Sequence, residues 1–237
     1  MSFFNPFKSK KNNHSKIASE LLEYVLSYVE KEGKGVRAED AIVVLGTIIG
    51  ERIVDAAGHL SLDEHDYHPG ASIFSDRVNE IIYGDTVAKD IKDYPGDSVI
   101  GQLRDHLKVS WYGSTDFPSI QEIIESYAND VNVSKLWGTC TWLVPPANFP
   151  VVLPIKEGYE TREKVKDILN NITDKNLRIE IAILALIELL GMMKNVIDPK
   201  TALTLIIQSI NVVSKMAPMT DKAMNQYLLT GEYSKKL

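Results

Sequence analysis

The sequence predicts an all-α protein with a single globular domain of about eight helices and an irregular Pro/Trp-rich segment near residues 132–160. Apolar residues recur every three or four positions through most of the chain, which is the spacing of one helix face. The chain has 237 residues, 44% of them hydrophobic, and that is enough to bury one large core. Residues 15–237 are therefore expected to form one helical domain.

Residues 1–14 are expected to be a flexible basic leader in front of this domain. The first 16 positions contain four lysines and no acidic residue, and chain ends are usually poorly ordered. Their order, apolar first and basic afterwards, is not that of a secretory signal. A weak contact of this arm with a membrane or a partner is the alternative.

The first two predicted helices have the clearest patterns. Residues 15–33 form an amphipathic helix that Gly33 ends. Residues 39–57 are apolar on every side over their first half, so this helix is expected at the centre of the fold. Gly46 and Gly50 lie four positions apart on it, which indicates a close approach by another helix.

Three shorter helices are predicted in the middle of the chain. The first covers residues 76–83 and ends at Gly84. The second begins at residue 97 or 98 and ends at 108, and the third begins at Pro118, because proline is tolerated in a first helical turn. Each has apolar residues at helical spacing and therefore one inward face.

Residues 132–160 interrupt the helical pattern. They contain four prolines and two tryptophans, and proline prevents a long helix. The segment is nevertheless too apolar for a solvated linker, so it is expected to cross the surface of the helices with its aromatic side chains pointing inward.

Four helices are predicted in the last third of the chain. They cover residues 161–170, residues 174–195, a segment that begins at Asp198-Pro199, and residues 220–229. The second is strongly apolar; its start alternates with period two, as a strand would, but the continuation favours a helix. The third is amphipathic, and its polar face is expected to meet solvent.

Charge and composition exclude several classes of protein. The net charge is −6 although the leader is basic, so the domain is acidic and is not expected to bind nucleic acid. No apolar stretch is long enough to predict a transmembrane segment. A single cysteine cannot form an internal disulfide, which favours a cytoplasmic location.

The loop H-L-S-L-D-E-H-D-Y-H-P-G, residues 59–70, is the main candidate for chemistry because it holds three of the five histidines. Imidazole and carboxylate groups bind divalent metals, and a catalytic site typically needs three protein ligands. The candidate metal ligands are His59, His65, His68, Asp63, Asp66, Asp55 and Glu51. Their spacing matches no established metal motif, so a solvated loop without metal is the alternative.

Aromatic side chains form a second candidate, either a ligand pocket or a partner surface, with ordinary core packing as the alternative. They are Trp111, Trp137, Trp142 and Phe149. Two further reactive groups are expected to be structural. Cys140 lies in an apolar stretch and is expected to be buried, and Glu188 is expected to reach a solvated edge of its apolar helix.

Two classes of function remain open at this point, and whether the protein is an enzyme is undecided. The first is a soluble cytoplasmic interaction or regulatory protein without catalytic activity, whose partner is another protein or a second copy of the chain. It is favoured because the sequence contains no catalytic motif. The alternative is a metal-dependent hydrolase that binds a divalent ion at the loop 59–68.

Overall fold

The computed structural model describes residues 6–30, 35–107, 116–131 and 140–230, except for the side chains of residues 6–12, 131 and 226–230. Within these residues the chain forms nine α-helices and no strand. They are α1 (Pro6–Val29), α2 (Ala38–Ala57), α3 (Asp76–Tyr83), α4 (Val99–Leu107), α5 (Ile120–Val131), α6 (Pro154–Ile168), α7 (Lys175–Met192), α8 (Pro199–Ser214) and α9 (Asp221–Thr230). The predicted all-α fold is confirmed.

Helix α2 lies at the centre of the domain. It packs against α1, α3, α6, α7 and α8, and each of its residues from Ala41 to Val54 is buried. Glu39 and Asp40 lie in its first turn, where the helix dipole favours negative charge. Gly58 ends the helix in the left-handed conformation, at φ 67°. The prediction of a helix surrounded by other helices is therefore confirmed.

Two glycines let α8 approach α2 closely. A Cβ atom on Gly46 would lie 2.7 Å from Cβ of Ser209, and one on Gly50 would lie 2.9 Å from Cβ of Val213. Both distances are shorter than real side chains allow, so only glycine fits at these positions without movement of α8. The close helix contact expected from the spacing of these glycines is confirmed.

Helix α8 is buried on its polar side as well, which corrects the expectation that this side meets solvent. The Gln208 side chain accepts a hydrogen bond from the backbone N–H of Leu143 and donates one to the carbonyl of Thr141, each at 2.9 Å. Asn211 accepts a hydrogen bond from the Tyr83 hydroxyl. Gln208 can be buried here because the loop backbone supplies partners for both ends of its amide, whereas the amide nitrogen of Asn211 has no partner among the described residues.

The described part of the Pro/Trp-rich segment, residues 140–153, crosses the start of α2. Asp40 accepts a hydrogen bond from the backbone N–H of Val151 at 2.7 Å, and Glu39 accepts one from Asn148 at 2.8 Å. The irregular stretch ends at residue 153 and not at 160, because Pro154 starts α6. The predicted start of this helix at residue 161 is wrong, since a proline in the first turn needs no hydrogen-bond partner.

The remaining helices follow the predicted order. Asp174 caps α7 by accepting hydrogen bonds from the N–H groups of Asn176 and Leu177, and the alternating stretch of α7 is helical, as expected. Helix α1 begins at Pro6 and not at residue 15, while the flexible leader of residues 1–14 stays a prediction. None of the helices that the structure describes is both long and apolar enough to cross a membrane.

Candidate anion-binding site

The acidic loop after α2 contacts basic side chains from two other helices, α6 and α9. Both carboxylate oxygens of Asp63 accept hydrogen bonds from Lys166 of α6, at 2.8 and 2.9 Å. Asp66 lies 3.3 Å from the ammonium group of Lys222, which belongs to α9. Both pairs are exposed, and such surface ion pairs contribute only about 0–1 kcal/mol each, so they hold the loop to the domain weakly.

The two acidic residues of α2 are also paired. Asp55 contacts Lys175 at 2.9 Å and Arg178 at 3.3 Å, both on α7. Glu51 is buried and accepts a 2.7 Å hydrogen bond from Arg162 of α6. Every carboxylate that the sequence suggested as a metal ligand therefore contacts a cationic side chain.

The three histidines of the loop point to different places. Nε2 of His65 lies 3.0 Å from the carbonyl oxygen of Pro218, and Nδ1 of His68 lies 3.0 Å from that of Pro69. His59 is exposed, and partial desolvation lowers its pKa below the ordinary value of 6.5. The structure does not bring these rings together around one point.

Within the described ranges, no group of three or more His, Cys, Asp or Glu side chains is arranged to hold a metal ion. The metal site at residues 51–68 therefore stays a prediction. A divalent ion there would have to compete with lysine and arginine for the same carboxylates. Elemental analysis of the protein purified without a histidine tag would test it directly.

Arg162 fixes the position of the loop from beneath. Its guanidinium is 3% exposed and donates hydrogen bonds to the carbonyls of Leu62 and Met219, at 2.8 and 2.7 Å, as well as to Glu51. Burial alone would lower the pKa of Arg162, but the adjacent Glu51 raises it above the usual value. Arg162 is thus a buried charge with a full set of partners, which is the usual state of such groups.

Arg52 differs sharply from Arg162, although both lie beside Glu51. Its side chain is only 2% exposed, and burial lowers its pKa below the usual arginine value. Among the described residues it makes one side-chain hydrogen bond, from Nη2 to Glu51 at 3.4 Å, and its Nε donor has no partner. A buried donor without a partner costs about 1–3 kcal/mol, so this arrangement needs an explanation.

Arg52 lies in the wall of a cleft of about 590 Å³ between the end of α2, the loop, α6 and α7. The charged lining consists of Arg52, Lys166, Lys175, Arg178, Asp55 and Asp63. Four lining cations face two lining carboxylates, and with Glu51, Glu163 and Arg162, which contact them directly, the region carries five cations and four carboxylates, or +1, whereas the whole chain carries −6. The cleft is therefore a local positive region in an acidic protein, and its electrostatic potential favours an anion.

A larger cleft, of about 770 Å³, lies between α3, α4 and α7. Its charged lining is mostly acidic and consists of Glu80, Asp85, Asp97, Asp174 and Glu180 together with Arg77. Arg77 is exposed and already bound to Glu80 at 2.6 Å. Water can solvate these charged side chains, and none of them is buried as fully as Arg52, although the buried Oε1 of Gln102 in the same lining has no partner among the described residues.

The aromatic surface predicted from the sequence is only partly described. Trp142 is half-buried and packs against the core, whereas Phe149 is 41% exposed. Trp111 and Trp137 lie outside the described residues, so the proposed partner surface stays a prediction.

The expectations for the cysteine and for the carboxylate of the apolar helix α7 are confirmed. Cys140 is buried, and Glu188 lies at an exposed edge of α7, where it accepts a hydrogen bond from Ser19.

Comparisons with the known protein families, with curated proteins and with solved structures find no match for this chain.

Sequence reasoning found the acidic side of the cleft but missed its four cations. Lys166 lies 103 positions from Asp63, and no local pattern connects them. One signal was present: Arg52 directly follows Glu51 in the middle of an apolar helix, where an unpaired charge is unexpected.

Proposed function

We propose that this protein binds a small anionic ligand in the Arg52 cleft and acts as a binding or regulatory protein, without catalysing a reaction. One observation carries the proposal: Arg52 is almost fully buried beside the cleft, and its Nε donor has no partner among the described residues. Buried charged groups are normally paired, because an unpaired one is expensive to desolvate. An anion in the cleft would place a further negative charge beside Arg52, whose one ion pair among the described residues is the 3.4 Å contact with Glu51.

Three further features support this function. The cleft volume lies within the range of about 300–1,000 Å³ that is typical of small-molecule sites. Its four cations stand on helices α2, α6 and α7, which hold side chains more rigidly than loops do. Guanidinium and ammonium groups also make the strong, charge-assisted hydrogen bonds by which proteins recognise carboxylates and phosphates.

The proposed setting is the cytoplasm. The lone Cys140 is buried without a disulfide, which supports a reducing compartment. We propose a protein partner or a second copy of the chain as the target of such regulation. The acidic domain supports neither DNA nor RNA as the ligand, because nucleic acids require an extended basic surface.

Titration of the isotope-labelled protein with phenyl phosphate, followed by NMR, tests the proposal. Two variants form a matched pair, since each removes one lysine that contacts one loop carboxylate. Lys166→Met removes a cation of the cleft, and Lys222→Met removes one outside it. We expect binding to the wild type, about tenfold weaker binding to Lys166→Met and unchanged binding to Lys222→Met. Absence of wild-type binding, or an equal loss in both variants, would refute the proposal.

A further inference from the structure

Asp63 is an anion that the protein itself places in the cleft. Its two oxygens contact the Lys166 ammonium at 2.8 and 2.9 Å, and Arg162 lies 4.0 Å away. The Ser61 hydroxyl fixes the turn that carries it, by accepting hydrogen bonds from the N–H groups of Asp63 and Glu64. The Asp63 side chain is 54% exposed, so it can leave Lys166 for solvent without being buried elsewhere.

The two lining carboxylates differ in how easily they can be displaced. Asp55 stands on α2 and is held by two cations, Lys175 and Arg178, and its side chain is 24% exposed. Asp63 stands on the loop, and among the lining cations only Lys166 binds it within 3 Å. An incoming anion therefore competes with Asp63 much more readily than with Asp55.

We propose, on the basis of the proposed function, that Asp63 makes the site selective for dianions and that the ligand class is a small phosphate monoester. A monoanionic carboxylate that displaced Asp63 from Lys166 would exchange one carboxylate contact for another and gain little. A phosphate monoester carries about −1.5 to −2 charges at pH 7 and offers three acceptor oxygens. One of its charges can bind Lys166 while the other interacts with the remaining lining cations, which a single carboxylate does less well.

The charge of the cleft agrees with this ligand class. The cations of the cleft still outnumber the carboxylates when Glu51 and Glu163 are counted, so a second negative charge on the ligand is attracted. A phosphoryl group fills only part of about 590 Å³, and the remaining wall contains Leu60, Leu62 and the ring of His59. This wall suits the organic part of a monoester better than a second charged group.

Phenyl phosphate and phenyl sulfate test the selectivity, because they share a shape and differ in charge. At pH 7.5 the phosphate ester is mostly a dianion and the sulfate ester a monoanion. Both are titrated into the wild type, into Asp63→Asn and into the matched control Asp66→Asn, whose carboxylate contacts Lys222 outside the cleft. Thermal unfolding of each variant establishes that it is folded.

We expect the wild type to bind phenyl phosphate about tenfold more tightly than phenyl sulfate, since one further unit charge interacts with the cleft. Asp63→Asn should bind phenyl sulfate about three- to tenfold more tightly than the wild type does, so that its affinities for phenyl phosphate and phenyl sulfate differ less. Asp66→Asn should keep the wild-type ratio of these two affinities. As a second measurement without any variant, the preference of the wild type for phenyl phosphate should shrink as the pH falls from about 7.5 to 5.

The outcomes separate this inference from the proposed function. If the wild type binds both esters equally, the dianion selectivity is wrong while anion binding stands. If the wild type prefers phenyl phosphate but Asp63→Asn keeps the same ratio, Asp63 does not set the selectivity. If the wild type binds neither ester, both proposals fail.

Discussion

Replacing Arg52 by methionine should make the protein more stable and weaken its binding of anions. The side chain is 2% exposed, and its Nε donor has no partner among the described residues. Methionine has a similar length and fills the same space without a charge. Glu51 stays compensated in this variant, because Arg162 donates a 2.7 Å hydrogen bond to it. The substitution therefore removes a poorly satisfied buried charge and leaves no new one.

The size of the effect follows from two contributions. An unsatisfied buried donor costs about 1–3 kcal/mol, and exchanging buried charges for apolar side chains is often neutral or stabilising by about 1–4 kcal/mol. We expect the free energy of unfolding of Arg52→Met to rise by about 1–3 kcal/mol. In a domain of this size, the melting temperature then rises by about 2–4 °C for each kcal/mol. Binding of phenyl phosphate should weaken by about tenfold or more.

Arg162→Met is the matched control, since it removes the other buried arginine beside Glu51. This arginine also binds the carbonyls of Leu62 and Met219, so its loss leaves Glu51 and two buried carbonyls short of partners. We expect a loss of about 3–5 kcal/mol. Urea unfolding of both variants and the wild type measures the difference. If Arg52→Met loses as much stability as Arg162→Met, Arg52 is a structural residue and the reasoning for an anion site is refuted.

Two further predictions concern the core. Burial lowers the pKa of Lys215 from 10.5 to about 8, so the protonated form destabilises the fold below pH 8 and stability rises between about pH 8 and 10.5. Lys215→Met should therefore be more stable than the wild type by up to about 3 kcal/mol at pH 7. In urea unfolding, this difference in the free energy of unfolding should disappear near pH 10.5. An equal difference at both pH values would contradict the shifted pKa. Gly46→Ala should lose about 1–3 kcal/mol, because its Cβ would lie 2.7 Å from the facing side chain of α8. Gly191→Ala, where no atom lies within 4 Å of the new Cβ, should be neutral or slightly stabilising by the same measurement, and equal losses would contradict the close helix contact.

Local signals account for the part of the fold that could be predicted from the sequence. Helix α3 ends where Gly84 predicts, and the Ser75 side chain caps its start. Such caps act within three residues and are therefore visible in a single sequence. The start of α6 was missed because proline both breaks helices and begins them, and only the packing around residues 154–160 distinguishes the two.

The candidate site was harder to predict, because it depends on contacts between distant parts of the chain. The sequence singled out the loop at residues 59–70, but its acidic residues were interpreted without their partners. Glu51 and Arg162 are 111 positions apart, and only the packing of α6 beside α2 joins them. Burial of Arg52 depends on the same packing, so the unpaired donor appears only in three dimensions.

The contact between α2 and α8 also determines when this protein can fold during its synthesis. Gly46 is translated 163 residues before Ser209, the side chain that packs against it. At roughly 5–20 residues per second, the ribosome needs about 8–30 s to make the intervening chain. Throughout that interval the face of α2 that packs against α8 in the folded domain has no cover from α8. The nascent chain therefore presents apolar surface of the kind that chaperones shield until α8 has left the ribosome.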